Sequence, residues 1–258
     1  MGLHAELYGD PQLAVPLVLL HGFGGSAAAW LKVATVLAAE LPVVAYDLPG
    51  HGRSLFSRAA GGAGTMARDI AADLRARGIE RFHLAGHSMG GAVATLIALR
   101  AQERAKSLTL FAPGGFGPVI NGLALKRYAL AEDAEEMREA LRMMNGSGHL
   151  VSDEEIENTL ERRGLAGARE ALRNILDIIL IDAEGGRQGT LPVADLAGLA
   201  MPVRVVWGER DTVLPVTQAE GLPPNVVVHR VGDAGHMLVD ERPADVIRFI
   251  RSSIAETT

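Results

Sequence analysis

Short apolar runs alternate with longer amphipathic segments along much of this chain. The runs are rich in Val, Leu and Ile, are bounded by Gly, Pro or Asp, and lie at residues 15–20, 42–45, 82–85, 107–111, 202–206 and 226–231. Such runs predict buried strands. Helical spacing occupies the intervals at residues 27–40, 65–77 and 89–101. The alternation of strand and helix predicts an α/β fold built on a mostly parallel, doubly wound sheet.

The alternation stops in the middle of the chain. From about residue 114 to residue 190 no strand-like run occurs, and segments with helical periodicity and charged faces lie at residues 123–130, 135–144, 153–162 and 168–181. Because the strand pattern resumes at residue 202, this segment interrupts one domain. We therefore expect a core formed by residues 1–113 and 193–258, with a helical cap inserted at residues 114–192.

Composition excludes several classes of function. Of 258 residues, 48% are hydrophobic and 22% are charged, which suits a buried core and not a disordered chain. The absence of cysteine excludes disulfides, thiolate chemistry and cysteine-ligated metals. A net charge of -6 has the wrong sign for binding phosphates, so we expect no nucleic-acid partner.

Neither end of the chain has the pattern of a targeting segment. The amino-terminal residues lack a basic stretch followed by an apolar run, and no apolar stretch approaches the ~20 residues of a membrane span. We expect a cytoplasmic protein without a membrane partner. The sequence leaves the oligomeric state open.

The motif Gly86-His87-Ser88-Met89-Gly90 lies between the apolar run at residues 82–85 and a helical segment. In a G-x-S-x-G turn the glycines permit a tight strand-to-helix turn that holds the serine hydroxyl above the sheet edge. The alternative is a glycine-rich helix start in which Ser88 caps the helix. The strand–turn–helix context favours Ser88 as a nucleophile.

A serine nucleophile needs a base and a group that orients the base. His236 follows the apolar run at residues 226–231, and Asp211 follows the run at residues 202–206, so both lie at the carboxyl ends of predicted strands. We assign His236 as base and Asp211 as its orienting carboxylate. The competing carboxylates are Asp182, Glu209 and Asp233. The other histidines show no metal-ligand spacing, and we expect no metal.

The segment Gly22-Phe23-Gly24-Gly25-Ser26-Ala27 supports two incompatible interpretations. In the first, the backbone N–H groups of Phe23 and Met89 form an oxyanion hole. In the second, the segment is a G-x-G-x-x-G/A dinucleotide fingerprint, with Asp47 about 20 residues further on as the ribose-binding carboxylate. We prefer the oxyanion hole because it also accounts for Ser88, Asp211 and His236. Trp30, Phe116 and Met237 are candidate walls of the substrate pocket.

These motifs occur along one chain, which also contains the segment Asp47-Leu48-Pro49-Gly50-His51-Gly52-Arg53-Ser54. In this combination the chain resembles the α/β-hydrolase superfamily. The resemblance spans nearly the whole chain outside the predicted cap. It implies Ser88 as nucleophile, His236 as base, Asp211 as orienter, and Phe23 and Met89 as backbone donors.

A narrower resemblance involves residues 112–121, 203–208 and 221–223. These are similar to the hydrolase-like domain in the dihydrolipoyl acetyltransferase component of acetoin dehydrogenase systems. Only about 14 residues precede the first clear run, so we expect no lipoyl domain and a lost or reduced leading strand. The D-H-x-x-x-D-G acyltransferase motif is also absent.

The sequence therefore predicts a serine hydrolase that acts on a carboxylic ester or related small-molecule acyl substrate without a cofactor. The same residues leave open a lactonase or a carbon–carbon bond hydrolase, although His87 stands where similar carbon–carbon hydrolases often have Asn. A serine nucleophile argues against dehalogenases and epoxide hydrolases, which use a carboxylate. The alternatives of another class are a non-catalytic small-molecule receptor and an NAD-binding protein.

Overall fold

A mostly parallel sheet runs through the computed structural model, which describes residues 2–146, 149–182 and 184–257. Its strands are β1 (Ala5–Tyr8), β2 (Leu17–Leu20), β3 (Val43–Tyr46), β4 (Phe82–His87), β5 (Ala105–Phe111), β6 (Val203–Gly208) and β7 (Val226–Val231). Their order across the sheet is β1-β3-β2-β4-β5-β6-β7. The edge strand β1 pairs antiparallel with β3, and the other pairs are parallel.

The central strands are buried along their length, which explains why they appear in the sequence as continuous apolar runs. Every residue of β2, β3, β4 and β6 is buried. Parallel strands covered by helices have no solvent face and therefore no polar alternation. The parallel β2 and β4 are neighbours in the sheet, so the loops that follow their carboxyl ends meet at one edge.

Helices connect and cover these strands. They are α1 (Leu31–Leu37), α2 (Ala63–Ala76), α3 (Met89–Arg100), α4 (Gly122–Leu130), α5 (Ala134–Met144), α6 (Asp153–Gly164), α7 (Ala168–Ile179), α8 (Leu238–Glu241) and α9 (Pro243–Ala255). The α2 helix packs on α3, and α1 packs on α9. The strand and helix arrangement confirms the predicted α/β class. No helix in the described ranges is long and apolar enough to span a bilayer.

The helices α4 to α7 lie between β5 and β6, where the sequence predicts the helical insert. Successive helices of this group contact each other, and α4 also contacts α7. Side-chain caps begin three of them: Asn121 accepts from the N–H of Ala124, Asp133 caps α5 and Ser152 caps α6. These local signals explain why the predicted helical segments agree closely with the observed ones. The division into core and cap at residues 114–192 stays a prediction.

Two features at the amino-terminal end differ from the expectations. The sequence pattern does not predict β1, because its four residues are only partly buried and Leu7 is 66% exposed, so no apolar run marks it. The helix expected at residues 27–40 is divided into a 3₁₀ turn at Ala27–Trp30 and the shorter α1. Neither difference affects the prediction that the motif loops of Phe23 and Ser88 follow the carboxyl ends of β2 and β4.

Candidate active site

Ser88 occupies a strained turn between β4 and α3. Its backbone has φ 51° and ψ -117°, a conformation that non-glycine residues rarely adopt. Close packing enforces this turn: a Cβ at Gly86 would lie 2.4 Å from the Gly90 carbonyl oxygen, and one at Gly90 would lie 2.2 Å from that of Leu20. The glycines of the motif are therefore required sterically, and the turn presents the Ser88 side chain at the sheet edge.

A continuous chain of hydrogen bonds links Ser88, His236 and Asp211. The distance from Ser88 Oγ to His236 Nε2 is 2.9 Å, and the distance from His236 Nδ1 to Asp211 Oδ2 is also 2.9 Å. The side chains of His236 and Asp211 are 1% and 0% exposed. This arrangement allows the imidazole to accept the serine proton while its other nitrogen donates to the carboxylate.

Asp211 is held by a second set of donors. Its Oδ1 accepts hydrogen bonds from the N–H groups of Val213 and Leu214, both at 2.8 Å, and its Oδ2 accepts one from Trp207 Nε1 at 3.1 Å. These donors fix the rotamer of the carboxylate toward His236. The competing carboxylates have other partners: Asp233 pairs with Arg210, and Asp182 accepts bonds from backbone N–H groups of its own loop.

The loop that carries His236 is fixed by residues that the sequence analysis did not identify. The N–H of His236 donates to the Met144 carbonyl at the end of α5, at 2.8 Å. The Glu241 carboxylate accepts from the N–H groups on either side of His236, those of Gly235 at 2.8 Å and Met237 at 3.0 Å. Because these contacts join separate segments, no local motif signals them.

His87, the residue before Ser88, also supports His236. Its Nε2 donates to the His236 carbonyl oxygen at 2.8 Å. Burial, reinforced by the neighbouring His236, lowers the pKa of His87 to about 3. His87 is therefore neutral at physiological pH and acts as a hydrogen-bond donor to the backbone of His236.

The backbone N–H groups of Phe23 and Met89 are free to bind a negatively charged oxygen. Within the described ranges, neither amide donates to a protein acceptor. The Phe23 loop lies close to the serine, since a Cβ at Gly22 would be 3.3 Å from Ser88 Cβ. Met89 is the first residue of α3, so its N–H points out of the positive end of that helix. The two amides have the character that an oxyanion hole requires.

Two buried histidines shape the Phe23 loop. His21 Nδ1 donates to the Gly22 carbonyl at 2.7 Å, and its Nε2 accepts from the Leu48 N–H at 2.9 Å. His51 Nε2 accepts from the Gly24 N–H at 3.0 Å. Burial lowers the pKa of His21 to about 4 and that of His51 well below its usual value, so both rings are neutral.

Helices α4 and α6 also contact this loop. Arg163 Nη1 donates to the Gly24 carbonyl at 2.9 Å, and its guanidinium lies 4.9 Å from the ring centroid of Tyr128. A Cβ at Gly24 would be 2.4 Å from Arg163 Nη2. Glycine at this position thus permits the arginine to approach the loop.

Asp47 is used to build the structure around the same loop. Its Oδ1 accepts from the Ala27 N–H at 2.7 Å, and its Oδ2 accepts from the Arg53 N–H at 2.7 Å and contacts His4 Nδ1 at 2.9 Å. The dinucleotide interpretation requires this carboxylate to bind a ribose hydroxyl. Because backbone N–H groups already occupy both oxygens, the geometry favours the oxyanion interpretation of Phe23. No cluster of metal-ligating side chains occurs in the part of the chain described.

Two cavities meet at Ser88. The more polar of the two, which we call the polar cavity, has a volume of about 330 Å³ and includes Trp30, Lys32, Tyr128, Arg162, Met237 and Asp240 in its lining. The apolar cavity, of about 230 Å³, includes Leu96, Ile120, Ile178, Ile179 and Leu191. Phe23 lines both cavities. A substrate whose reactive carbon lies over Ser88 can therefore extend in two directions of different polarity.

The expected pocket walls are only partly found at these cavities. Trp30 and Met237 line the polar cavity. Phe116 lines neither, and its ring packs edge-on against Trp207 with centroids 6.4 Å apart. Phe116 thus contacts the strand that precedes Asp211, and its place as a pocket wall stays a prediction.

Comparison with known proteins agrees with this architecture. The sequence model of the Alpha/beta hydrolase family matches residues 17–249. The dihydrolipoyllysine-residue acetyltransferase component of the acetoin cleaving system from Cupriavidus necator is 36% identical over 241 residues, which cover 93% of this chain and 64% of that protein. The chain thus spans less than two thirds of this relative.

Proteins with lower sequence identity to this chain include hydrolases by name. A monoacylglycerol lipase from Xenopus laevis is 27% identical over 254 residues, covering 91% of this chain and 74% of the lipase. Among solved structures, the meta-cleavage product hydrolase CumD from Pseudomonas fluorescens superposes with a TM-score of 0.84 at 23% identity, covering 98% of this chain and 94% of that one. These matches confirm the resemblance inferred from the motifs, and the chain belongs to the alpha/beta hydrolase family.

Proposed function

We propose that this enzyme hydrolyses carboxylic esters through an acyl-enzyme intermediate on Ser88. The observation that carries the proposal is the pair of 2.9 Å hydrogen bonds joining Ser88, His236 and Asp211 where two cavities meet. A free serine hydroxyl is a weak nucleophile. A histidine hydrogen-bonded to the serine can remove the hydroxyl proton as the oxygen attacks.

In the first half of the reaction, Ser88 Oγ attacks the acyl carbon and His236 Nε2 takes its proton. Asp211 holds the imidazole in the productive tautomer and stabilises the imidazolium that forms. The tetrahedral intermediate carries a negative oxygen, which the N–H groups of Phe23 and Met89 bind. His236 then gives its proton to the leaving alcohol as the carbon–oxygen bond breaks.

In the second half, a water molecule takes the place of the alcohol. His236 removes a proton from this water, which attacks the acyl group on Ser88, and the same backbone donors bind the second oxyanion. Collapse of the intermediate returns the proton to Ser88 and releases a carboxylic acid. This sequence consumes only ester and water, so it requires no cofactor.

The acyl group fits the apolar cavity best. Its lining includes Ile178, Ile179 and Leu191, which all lie in the segment between β5 and β6. A volume of about 230 Å³ suits a small to medium acyl chain. We further propose that residues 114–192 act as the cap that encloses this chain. The names of the two relatives describe acyl chemistry, an acetyltransferase component and a monoacylglycerol lipase.

The test is turnover of p-nitrophenyl esters from acetate to octanoate by the wild type and the Ser88→Ala, His236→Ala and Ser252→Ala variants. Loss of Ser88 or His236 should reduce kcat by about 10⁶-fold. Ser252, on α9, lines neither cavity, and its substitution should leave kcat unchanged. Equal activity of the wild type and the Ser88→Ala variant would contradict the proposal and direct attention to carbon–carbon substrates.

A further inference from the structure

Several charged side chains line the polar cavity. Lys32 from α1 and Glu154, Glu155 and Arg162 from α6 line it, and we call these four side chains the charged rim. Asp240 from α8 lines the same cavity. It lies four positions after His236 along the chain, so α8 contributes a carboxyl group to the cavity that Ser88 also lines.

None of these five charged groups forms an ion pair. In the part of the chain that the structure describes, no ion pair involves a member of the charged rim or Asp240. No hydrogen bond from a described residue reaches the Asp240 carboxyl group either. A partly buried carboxyl without a protein partner has unused hydrogen-bonding capacity that a ligand can satisfy.

The charges around Asp240 oppose its ionisation. Burial raises the pKa of Asp240 to about 7, and the nearby carboxylates of Glu155 and Glu241 act in the same direction. Lys32 and Arg162 act in the opposite direction without overcoming this effect. Asp240 is therefore present in both protonation states near neutral pH.

This environment selects among ligand chemistries. The carboxyl groups of Glu154, Glu155 and Asp240 disfavour an anionic ligand group. The positive charges of Lys32 and Arg162 disfavour an ammonium group, which would also require Asp240 to be ionised. A hydroxyl group is compatible with both states of Asp240, because it donates to a carboxylate and accepts from a carboxylic acid. Neutral polar side chains also line the polar cavity, namely Ser152, Asn158 and Thr159.

We propose that Asp240 and the charged rim bind the hydroxyl groups of a polyol leaving group, so that the enzyme prefers acyl esters of polyols over esters of simple alcohols with the same acyl group. This inference rests on the proposed ester hydrolysis at Ser88. It assigns the apolar cavity to the acyl chain and the polar cavity to the alcohol.

The test compares glycerol monobutyrate with ethyl butyrate, which share the acyl group and differ in the hydroxyl groups of the alcohol. The wild type should have a kcat/KM for the glycerol ester at least about 10-fold higher, because each buried hydroxyl paired with the site gains a hydrogen bond. Asp240→Leu should reduce this ratio by about 10-fold or more, mainly through KM of the glycerol ester. Asp240→Asn keeps donor and acceptor atoms and should retain the ratio within about threefold.

Asp177→Leu is the matched control, because Asp177 is an exposed aspartate on α7 that lines neither cavity. It should leave the ratio at the wild-type value. Equal kcat/KM values for the two esters, or a ratio unaffected by Asp240→Leu, would overturn the inference while ester hydrolysis at Ser88 stands.

Binding to the Ser88→Ala protein separates the inference from the proposed chemistry. Trp30 lines the polar cavity, so tryptophan fluorescence should report the Kd of each ester. We expect tighter binding of glycerol monobutyrate, and at least about 10-fold weaker binding when Asp240→Leu is added. If the wild type hydrolyses neither these two esters nor the p-nitrophenyl esters, the proposed function fails, and these Kd values still decide the inference: equal Kd values for the two esters overturn it.

Discussion

Arg163 is a buried cation whose guanidinium contacts the loop that carries Phe23. Only 4% of the residue is exposed, and in the described part of the chain its Nε and Nη2 atoms have no hydrogen-bond partner. Burial lowers its pKa. An unpaired charge of this kind is costly to bury, and its one strong polar contact is with the Gly24 carbonyl. We infer that Arg163 positions the loop that carries Phe23.

Substitution of Arg163 should separate activity from stability. Arg163→Met should lower kcat for p-nitrophenyl butyrate by about 10-fold with KM nearly unchanged, because a displaced oxyanion donor affects the transition state most. Thermal unfolding should show no loss of Tm, since removing a buried unpaired cation offsets the lost hydrogen bond. Arg173→Met, at an exposed position on α7, is the control. A lower Tm with unchanged kcat would show a structural role only.

At the level of secondary-structure elements, the contact between α3 and the end of β2 decides whether the site forms. The two elements approach so closely at Gly90 that a Cβ there would lie 2.2 Å from the Leu20 carbonyl oxygen and 2.4 Å from that of His21. Both atoms belong to backbone that leads into the Phe23 loop. The structure therefore couples the serine turn and the Phe23 loop through one glycine.

A pair of glycine substitutions in helices tests this coupling. Gly90→Ala should lower the free energy of unfolding by about 3 kcal/mol or more, because backbone must move to admit the methyl group. Gly164→Ala, at the end of α6, meets nothing within 4 Å and should raise it by about 0.5–1 kcal/mol. Urea unfolding measures both changes. Equal effects of the two substitutions would contradict the steric argument.

Much of the site was predictable because its signals are local. The serine turn is encoded within Gly86–Gly90, and His236 and Asp211 each follow an apolar run that marks a strand. Arg163 was not predictable, because its partner Gly24 lies 139 positions away and no pattern near either residue marks the contact. The same holds for Glu241, whose carboxylate joins the His236 loop to Gly146, two residues after the end of α5.

The differences between the predicted and observed fold have a related cause. The strand β1 is four residues long and half polar, so its pairing with β3, and not its own sequence, makes it a strand. Phe116 is expected at the pocket because it follows a motif loop, but sequence position alone does not distinguish a cavity wall from a core residue. The structure adds that the Phe116 ring packs against Trp207, a contact that no local sequence pattern marks.

For the whole molecule, buried neutral histidines should control stability in acid. Burial lowers the pKa of His87 to about 3, those of His21 and His83 to about 4, and that of His51 well below its usual value. The unfolded chain binds protons at these histidines below about pH 6.5, whereas the folded protein does so only at lower pH. Each of these histidines therefore lowers the free energy of unfolding by up to about 1.4 kcal/mol per pH unit as the pH falls below about 6.5.

Asp240 changes the pH dependence of stability in the opposite direction to the histidines. Because its pKa in the folded protein is raised to about 7, the folded state binds this proton more readily than the unfolded chain does. The stability that Asp240 contributes is present at low pH and is lost as the pH rises toward about 7. Between about pH 5 and pH 6.5 one carboxyl group thus opposes the four histidines, and the histidines dominate.

Thermal unfolding at several pH values tests whether the histidines outweigh Asp240 in their effect on stability. We expect Tm to fall as the pH is lowered from about 7.5 to about 5, and to fall more steeply in Asp240→Asn, which lacks the opposing group. Asp177→Asn, at the exposed position on α7, should follow the wild type. A Tm that is constant over this range would contradict the assignment of the histidines as buried neutral groups.

The central claim is that Ser88 carries the acyl group during turnover, and peptide mass spectrometry tests it most directly. The protein is mixed with p-nitrophenyl butyrate, quenched in acid within the first turnovers and digested. The account predicts a butyryl group on the peptide that contains Ser88, and no such adduct in the Ser88→Ala variant. Turnover with the acyl group on another residue, or an equal adduct in both proteins, would contradict it.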